Sequence, residues 1–290
     1  MNKLALGTVQ FGLNYGVSNF YGQTNLSEAS KIIKLAKEEN IDLIDTAISY
    51  GVSEKTIGKI GILDFRFVSK LPSVSNINGD LDIIVEEMIK KSLHRLGIKS
   101  LYGLLIHKSQ DLLGDSGCKL IYALNQIKGK GLIEKIGVSI YDPSEIDKII
   151  NLFKIDIIQA PLNIIDRRLE KSGWLKKLHN KNIEIHTRST FLQGLLLMQQ
   201  DQIPMKFNRW ADLFDRWFLE LKKYNLDAAQ VCLSYPMSLP EVDRIVIGVN
   251  NADQLQKLIK LSKSKILNHD LSFMVSNDNL LINPSNWENI

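Results

Sequence analysis

Four ionisable side chains stand at or just after the ends of short apolar runs in this 290-residue chain. Asp45 closes IDLID (41–45), and Tyr50 follows in DTAISYG (45–51). Lys70 closes FRFVSK (65–70), and His107 closes LYGLLIH (101–107). Each has an ordinary explanation alone. An Asp after a strand caps a turn, a loop Tyr packs half-buried, a strand-end Lys is solvated, and a strand-end His is hydrogen-bonded. Together they form a proton-transfer set. A carbonyl that accepts a hydride gathers negative charge on its oxygen and needs a proton there. A free phenol titrates near pH ~10, and a cation about 4–6 Å away lowers that value by about 1–3 units. Lys70 can be the cation, and Asp45 can keep it charged despite burial. His107 can orient the substrate oxygen and share in proton movement. Tyr50 is then the acid in reduction and the base in oxidation.

These groups meet only if the fold gathers the ends of separate strands. Eight apolar runs are legible: LALGTV (4–9), IDLIDTA (41–47), FRFVSK (65–70), LYGLLIH (101–107), KIGVSI (135–140), DIIQAPL (156–162), NIEIHT (182–187) and RIVIGV (244–249). They lack clean alternation, which suits strands buried on both faces of a parallel sheet. Helical patterns lie between them. Ala29, Ile32, Ile33 and Ala36 recur at helical spacing, as do Leu81, Ile84, Val85 and Met88. Asp142-Pro143-Ser144-Glu145 offers an N-cap, a first-turn Pro and a capping-box carboxylate before Ile146, Ile149, Ile150 and Phe153. Asn251 and Gln254 open the pattern Leu255, Leu258, Ile259.

Eight strand–helix units predict an α/β fold of the (β/α)8 TIM-barrel type, in one domain over 1–290, with extended loops at the C-terminal face. The rival is a doubly wound sheet, which usually carries a glycine-rich turn after its first strand. QFGLNYG (10–16) has no such pattern. The stretch 188–243 is insertion-sized, and so is the tail after about 263. Such length at a barrel's C-terminal face shapes a pocket.

Composition narrows the function classes. The chain is 44% hydrophobic and 23% charged, with 36 basic and 32 acidic residues spread along it. That balance describes a solvated surface and leaves no clustered patch for nucleic acid or membrane. No apolar run approaches the ~18–20 residues of a membrane span. The start MNKLALGTVQFGL lacks a signal-peptide cleavage site, and two cysteines are too few for a disulfide framework. A cytoplasmic protein is expected.

Other chemistries leave weaker traces. The five histidines (94, 107, 179, 186 and 269) are scattered, and the best ligand pair, Glu184 with His186, has no third partner, so no metal is expected. GVSIY (137–141) lacks the second glycine of a nucleophile elbow. There is no Walker A sequence and no H-E-x-x-H.

The ordered segments LGTVQFG (6–12), DTAISYG (45–51), FVSK (67–70), LLIHK (104–108), IGVSIYDP (136–143), IIQAPLNIID (157–166), RSTFLQGLLL (188–197) and VIGVNNADQL (246–255) together resemble an aldo-keto reductase over nearly the whole chain. The resemblance implies a barrel that transfers hydride from NADPH, sometimes NADH, to a small-molecule carbonyl without metal or flavin. It makes Tyr50 the catalytic acid, with Asp45, Lys70 and His107 completing a tetrad and Asp45 also beside the cofactor. Ser139 and Gln159 correspond to the residues that hold the nicotinamide carboxamide. Ile140 and Tyr141 follow Ser139 where many members have Asn, and Asn163 is a candidate helper. Arg188 stands where many members stack a Tyr on the nicotinamide, a role a guanidinium can also fill; pairing with a substrate or loop carboxylate is the alternative. Ser189, Gln193 and Gly194 match the segment passing the pyrophosphate. Gly248, Asn250, Asn251 and Gln254 match the end that in NADPH-binding members carries Lys or Arg, with Lys257 one turn on. NADPH is expected by a small margin.

Two rival functions remain: a catalytically quiet NADP(H)-binding regulatory barrel, and a lyase or aldolase using Lys70 as a Schiff base, which Asp45 opposes. Asn14, Tyr15, Asn19 and Tyr21 make a polar-aromatic loop suited to a sugar-like carbonyl. Phe207, Trp210, Phe214 and Trp217 repeat at helix-packing spacing, and the tail at 282–287 either returns to the mouth or docks on the barrel.

Overall fold

The computed structural model describes residues 2–61, 64–75, 79–265 and 270–290; His269 lies outside them. Eight strands close into a barrel: β1 (Leu4–Gly7), β2 (Leu43–Asp45), β3 (Arg66–Leu71), β4 (Leu101–Ile106), β5 (Ile133–Ser139), β6 (Ile157–Pro161), β7 (Glu184–Arg188) and β8 (Arg244–Gly248). Every neighbouring pair is parallel, and β8 closes on β1. This is the expected (β/α)8 architecture. The doubly wound rival would leave open edges.

The missing alternation follows from two apolar layers. Ala5, Leu43, Val68, Leu105 and Ile157 fill the barrel interior. Their neighbours, such as Leu4, Leu6, Ile44, Phe67, Leu104 and Ile158, pack outward with the helices. Successive side chains point to opposite faces of a strand, so both parities are apolar.

The helices form as amphipathic covers. In Leu26–Glu38, Asn25 accepts from Glu28 N, and Ala29, Ile32, Ile33 and Ala36 are all buried. In Ala252–Ser262, Asn251 accepts from Gln254 N, and Leu255, Leu258 and Ile259 are buried. The helix Leu81–Leu96 differs from expectation. Of Leu81, Ile84, Val85 and Met88, only Val85 is fully buried, and the core face continues through Ile89, Leu93 and Leu96. Leu81 and Met88 are half-buried against the same core, so the stripe read from the sequence is the flank of that face. The helix Glu145–Leu152 begins later than Asp142 implied. The capping box itself forms as expected: the Asp142 side chain accepts from Ser144 N (2.9 Å), and its N–H donates to Glu145 Oε1 (3.1 Å).

The long β7–β8 connection contains the helices Ala211–Lys223 and Ala228–Ser238. Three of its aromatic residues, Phe207, Phe214 and Trp217, are buried packing. The C-terminal tail docks there, with Trp287 4.8 Å from Phe207 between ring centroids and Lys206 Nζ donating to Trp287 O at 2.7 Å. Among the described residues, no helix is long and apolar enough to cross a membrane.

Candidate active site

The strand period sets the site. Two residues beyond each inward-facing position the next side chain faces inward again. That step leads from Ala5 to Gly7, Leu43 to Asp45, Val68 to Lys70, Leu105 to His107, Gly137 to Ser139, Ile157 to Gln159, His186 to Arg188 and Val246 to Gly248. All eight end positions line one cavity of about 830 Å³ at the C-terminal mouth. Its size falls within the ~300–1,000 Å³ usual for small-molecule and cofactor sites.

Lys70 and Asp45 are almost wholly buried, with Lys70 Nζ 2.5 Å from Asp45 Oδ1 and 3.0 Å from Thr46 O. Gln159 Nε2 donates to Asp45 Oδ2 at 2.7 Å. Burial alone would lower the Lys70 pKa, but the Asp45 carboxylate and nearby Tyr50 outweigh it and raise the value. A lysine held protonated is a poor Schiff-base nucleophile. The ammonium lies 5.0 Å from the Tyr50 ring centroid. Tyr50 meets His107 edge-on, with ring centroids 6.0 Å apart. Burial, then the positive charges of Lys70 and Arg188, lower His107 to about 4. Its ring is therefore neutral near pH 7, with Nδ1 3.3 Å from Ser49 Oγ.

Tyr50 is carried on a tight turn, with Tyr50 N donating to Ala47 O and Ser53 N to Tyr50 O. The β1 loop presses on that turn at Gly12, where a Cβ would fall 1.8 Å from Tyr50 O. Any larger residue there would displace the phenol.

The other sequence candidates divide. Ser139, Gln159, Arg188, Ser189, Gln193, Gly194, Gly248, Asn250 and Gln254 line the cavity. Asn251 does not; its carboxamide caps the following helix. Asn163 is committed elsewhere, donating to Ser189 O and accepting from Ile165 N and Asp166 N. Arg188 lies over Tyr141, 4.4 Å from its ring centroid, and donates to Ile140 O at 3.0 Å. The loop residues Tyr15 and Asn19 reach the cavity, while Asn14 and Tyr21 are not in its wall. Glu184 and His186 pair at 3.0 Å, but the second Glu184 oxygen is held by Lys135 and Tyr102. Among the described residues, no three His, Cys, Asp or Glu side chains converge as a metal site.

Sequence reasoning missed Gln10, Thr190, Phe218 and Leu226 in the cavity wall. Gln10 sits on a short 3-10 turn just after β1, inside the quoted LGTVQFG, and that adjacency was the available signal. Phe218 and Leu226 gave none, since apolar residues of an insertion read as packing. The wall fits a nicotinamide dinucleotide. Gln10 Oε1, Thr190 Oγ1 and Asn250 Oδ1 are buried acceptors without a partner in the protein, and such atoms call for a polar ligand. Gly248 leaves room for the Gln10 carboxamide, since a Cβ there would lie 2.7 Å from Gln10 Nε2.

A mouth site assembled from eight strand ends defines a barrel enzyme, and comparison with known proteins gives its family. Residues 3–274 match the model of the aldo/keto reductase family. The chain is similar to an uncharacterized oxidoreductase, YqkF, of Bacillus subtilis: 25% identical, covering 93% of this chain and 94% of the relative. It is 23% identical to the NADH-specific methylglyoxal reductase of Escherichia coli, covering 94% of each. In fold it resembles an aldo-keto reductase from Bacillus halodurans in its holo form, with a TM-score of 0.74 at 20% identity over 95% of this chain and 94% of that one. The glycerol dehydrogenase of Gluconobacter oxydans gives a TM-score of 0.71 at 20% identity over 94% and 89%. This chain belongs to the aldo/keto reductase family. It is an NAD(P)-dependent oxidoreductase acting on small-molecule carbonyl compounds.

Proposed function

We propose that the protein reduces an aldehyde or ketone to an alcohol with Tyr50 as the general acid. The observation that carries this reading is the Tyr50 ring 5.0 Å from the Lys70 ammonium, itself fixed by a buried Asp45. The bound reduced nicotinamide supplies the hydride. Tyr50 delivers its phenolic proton to the carbonyl oxygen as charge gathers there. Lys70 stabilises the phenolate left behind, and Asp45 keeps Lys70 charged and aimed. In this reading neutral His107 takes the tautomer protonated on Nε2, with Nδ1 toward Ser49 Oγ, and orients the carbonyl oxygen as a hydrogen-bond donor.

Ser139 and Gln159 hold the carboxamide in this reading. Gln159 spends its Nε2 on Asp45, which leaves Oε1 as acceptor. Ser189, Gln193 and Gly194 line the middle of the cofactor path, and Gly248, Asn250 and Gln254 its far end. Tyr15 and Asn19 in the wall support a polar, sugar-like substrate. Free Cys118 and Cys232 support the cytoplasmic assignment, with 1–290 working as one barrel domain.

The test is turnover of a reduced nicotinamide cofactor by the purified chain with a panel of aldehydes, ketones and sugars. Consumption that Tyr50→Phe abolishes supports the reading. Tight cofactor binding without turnover on any carbonyl would instead favour the regulatory barrel.

A further inference from the structure

The segment after β8 opens a helix whose first amides are already hydrogen-bonded within the protein. A helix N-terminus binds phosphate through free amides and a positive dipole end. Here three of those amides are already engaged. Asn250 N donates to Gln254 Oε1 at 2.8 Å, and Gln254 N to Asn251 Oδ1 at 2.9 Å. Ala252 N, at the first helical position, donates to Glu28 Oε1 at 2.8 Å. Glu28 comes from the helix after β1, so a carboxylate from a distant part of the sequence takes up an amide that an anion could otherwise use. The Ala252 hydrogen bond, then the one to Lys31, lowers the Glu28 pKa. Asp253 adds a second negative charge in the same first turn.

Two nearby cations, one of them Lys257 in the cavity wall, are already matched. Lys257 lies 2.7 Å from Asp227, and Lys31 lies 3.0 Å from the other Glu28 oxygen. Lys222 lines the cavity from the last turn of another helix. Asn250 Oδ1, buried and unpartnered, needs a hydrogen-bond donor. A ribose hydroxyl can donate; a phosphate monoester, carrying about 1.5–2 negative charges near pH 7, offers chiefly acceptors.

We propose that Glu28 is a specificity residue that excludes the 2′-phosphate and makes NADH the preferred cofactor, in place of the NADPH expected from the sequence. This deepens the carbonyl-reduction reading and rests on it. Discrimination by a repulsive charge as well as by attraction is a general route to specificity.

Equilibrium titration of the full chain with NADH and NADPH, followed by fluorescence, tests it without substrate. NADH should bind at least about tenfold tighter, given the cost of like charges in contact. Glu28→Gln keeps an acceptor for Ala252 N and should tighten NADPH about tenfold while leaving NADH within about twofold. Its melting temperature checks the fold, and Lys222→Gln should leave the NADH to NADPH ratio unchanged. Tighter NADPH in the wild type, an equal or absent effect of E28Q on the two cofactors, or a ratio that shifts in K222Q overturns the proposal and leaves carbonyl reduction standing. Failure to bind either cofactor removes both.

Discussion

Lys70 Nζ sits 2.5 Å from Asp45 Oδ1, and neither residue is more than 3% exposed. An ion pair this deep is costly to form from water, and it costs more to break from one side, because the partner keeps its charge without compensation. Lys70 therefore has a structural role beside the chemical one proposed for it.

Lys70→Met should lower unfolding stability by about 3–5 kcal/mol by leaving Asp45 buried alone. It should also lower kcat by about 10²–10⁴-fold, the range of general acid catalysis. Denaturant melts and steady-state rates measure the two effects. The double variant K70M/Y50F should turn over little more slowly than either single variant, since the residues act as a unit. Fully additive losses would show that they act independently.

Tyr50→Phe should reduce kcat by about 10²–10⁴-fold with cofactor affinity nearly unchanged. Tyr15 is the control phenol. Its ring is exposed at the cavity rim, yet desolvation around its hydroxyl, then the adjacent Tyr50, pushes it up to about 12. Tyr15→Phe should keep kcat within about tenfold and act mainly on KM. If Tyr15→Phe is the variant that abolishes turnover, the acid has been misassigned.

His107 titrates at about 4, against 6.5 for the free side chain. Between those values the unfolded chain binds a proton that the native ring does not. This contribution to stability is fully present above pH ~6.5 and is lost as pH falls to ~4, with a slope up to about 1.4 kcal/mol per unit. Unfolding free energies across that window should show the slope, and His107→Gln should flatten it. An unchanged slope in the variant would place the titration elsewhere.

Chelation should leave turnover unaffected. Among the described residues, no three ligand-type side chains converge, and Glu184 and His186 are held in hydrogen bonds with each other, Lys135 and Tyr102. Dialysis against EDTA with assay before and after measures this, and a loss restored by one divalent ion would require a metal step.

The sequence alone determined the barrel and the candidate residues at its mouth. Eight Ile-, Leu- and Val-rich runs separated by helical patterns admit few folds, and Asp45, Lys70 and His107 each end such a run. Strand period 2 then carries a local pattern to one mouth, so linear spacing suffices. Tertiary structure decided what depends on partners distant in the chain. Gln159 binds Asp45 from 114 residues away, and Glu28 meets Ala252 across 224. Nothing local marks Glu28, since a Glu three residues after Asn25 reads as helix capping. Asn163 looked free to help the cofactor until the turn at 163–166 claimed its amide. The depth of burial along 81–96 was also beyond the sequence, because which part of a broad apolar stripe is fully covered is set by packing against neighbouring elements rather than by the stripe itself.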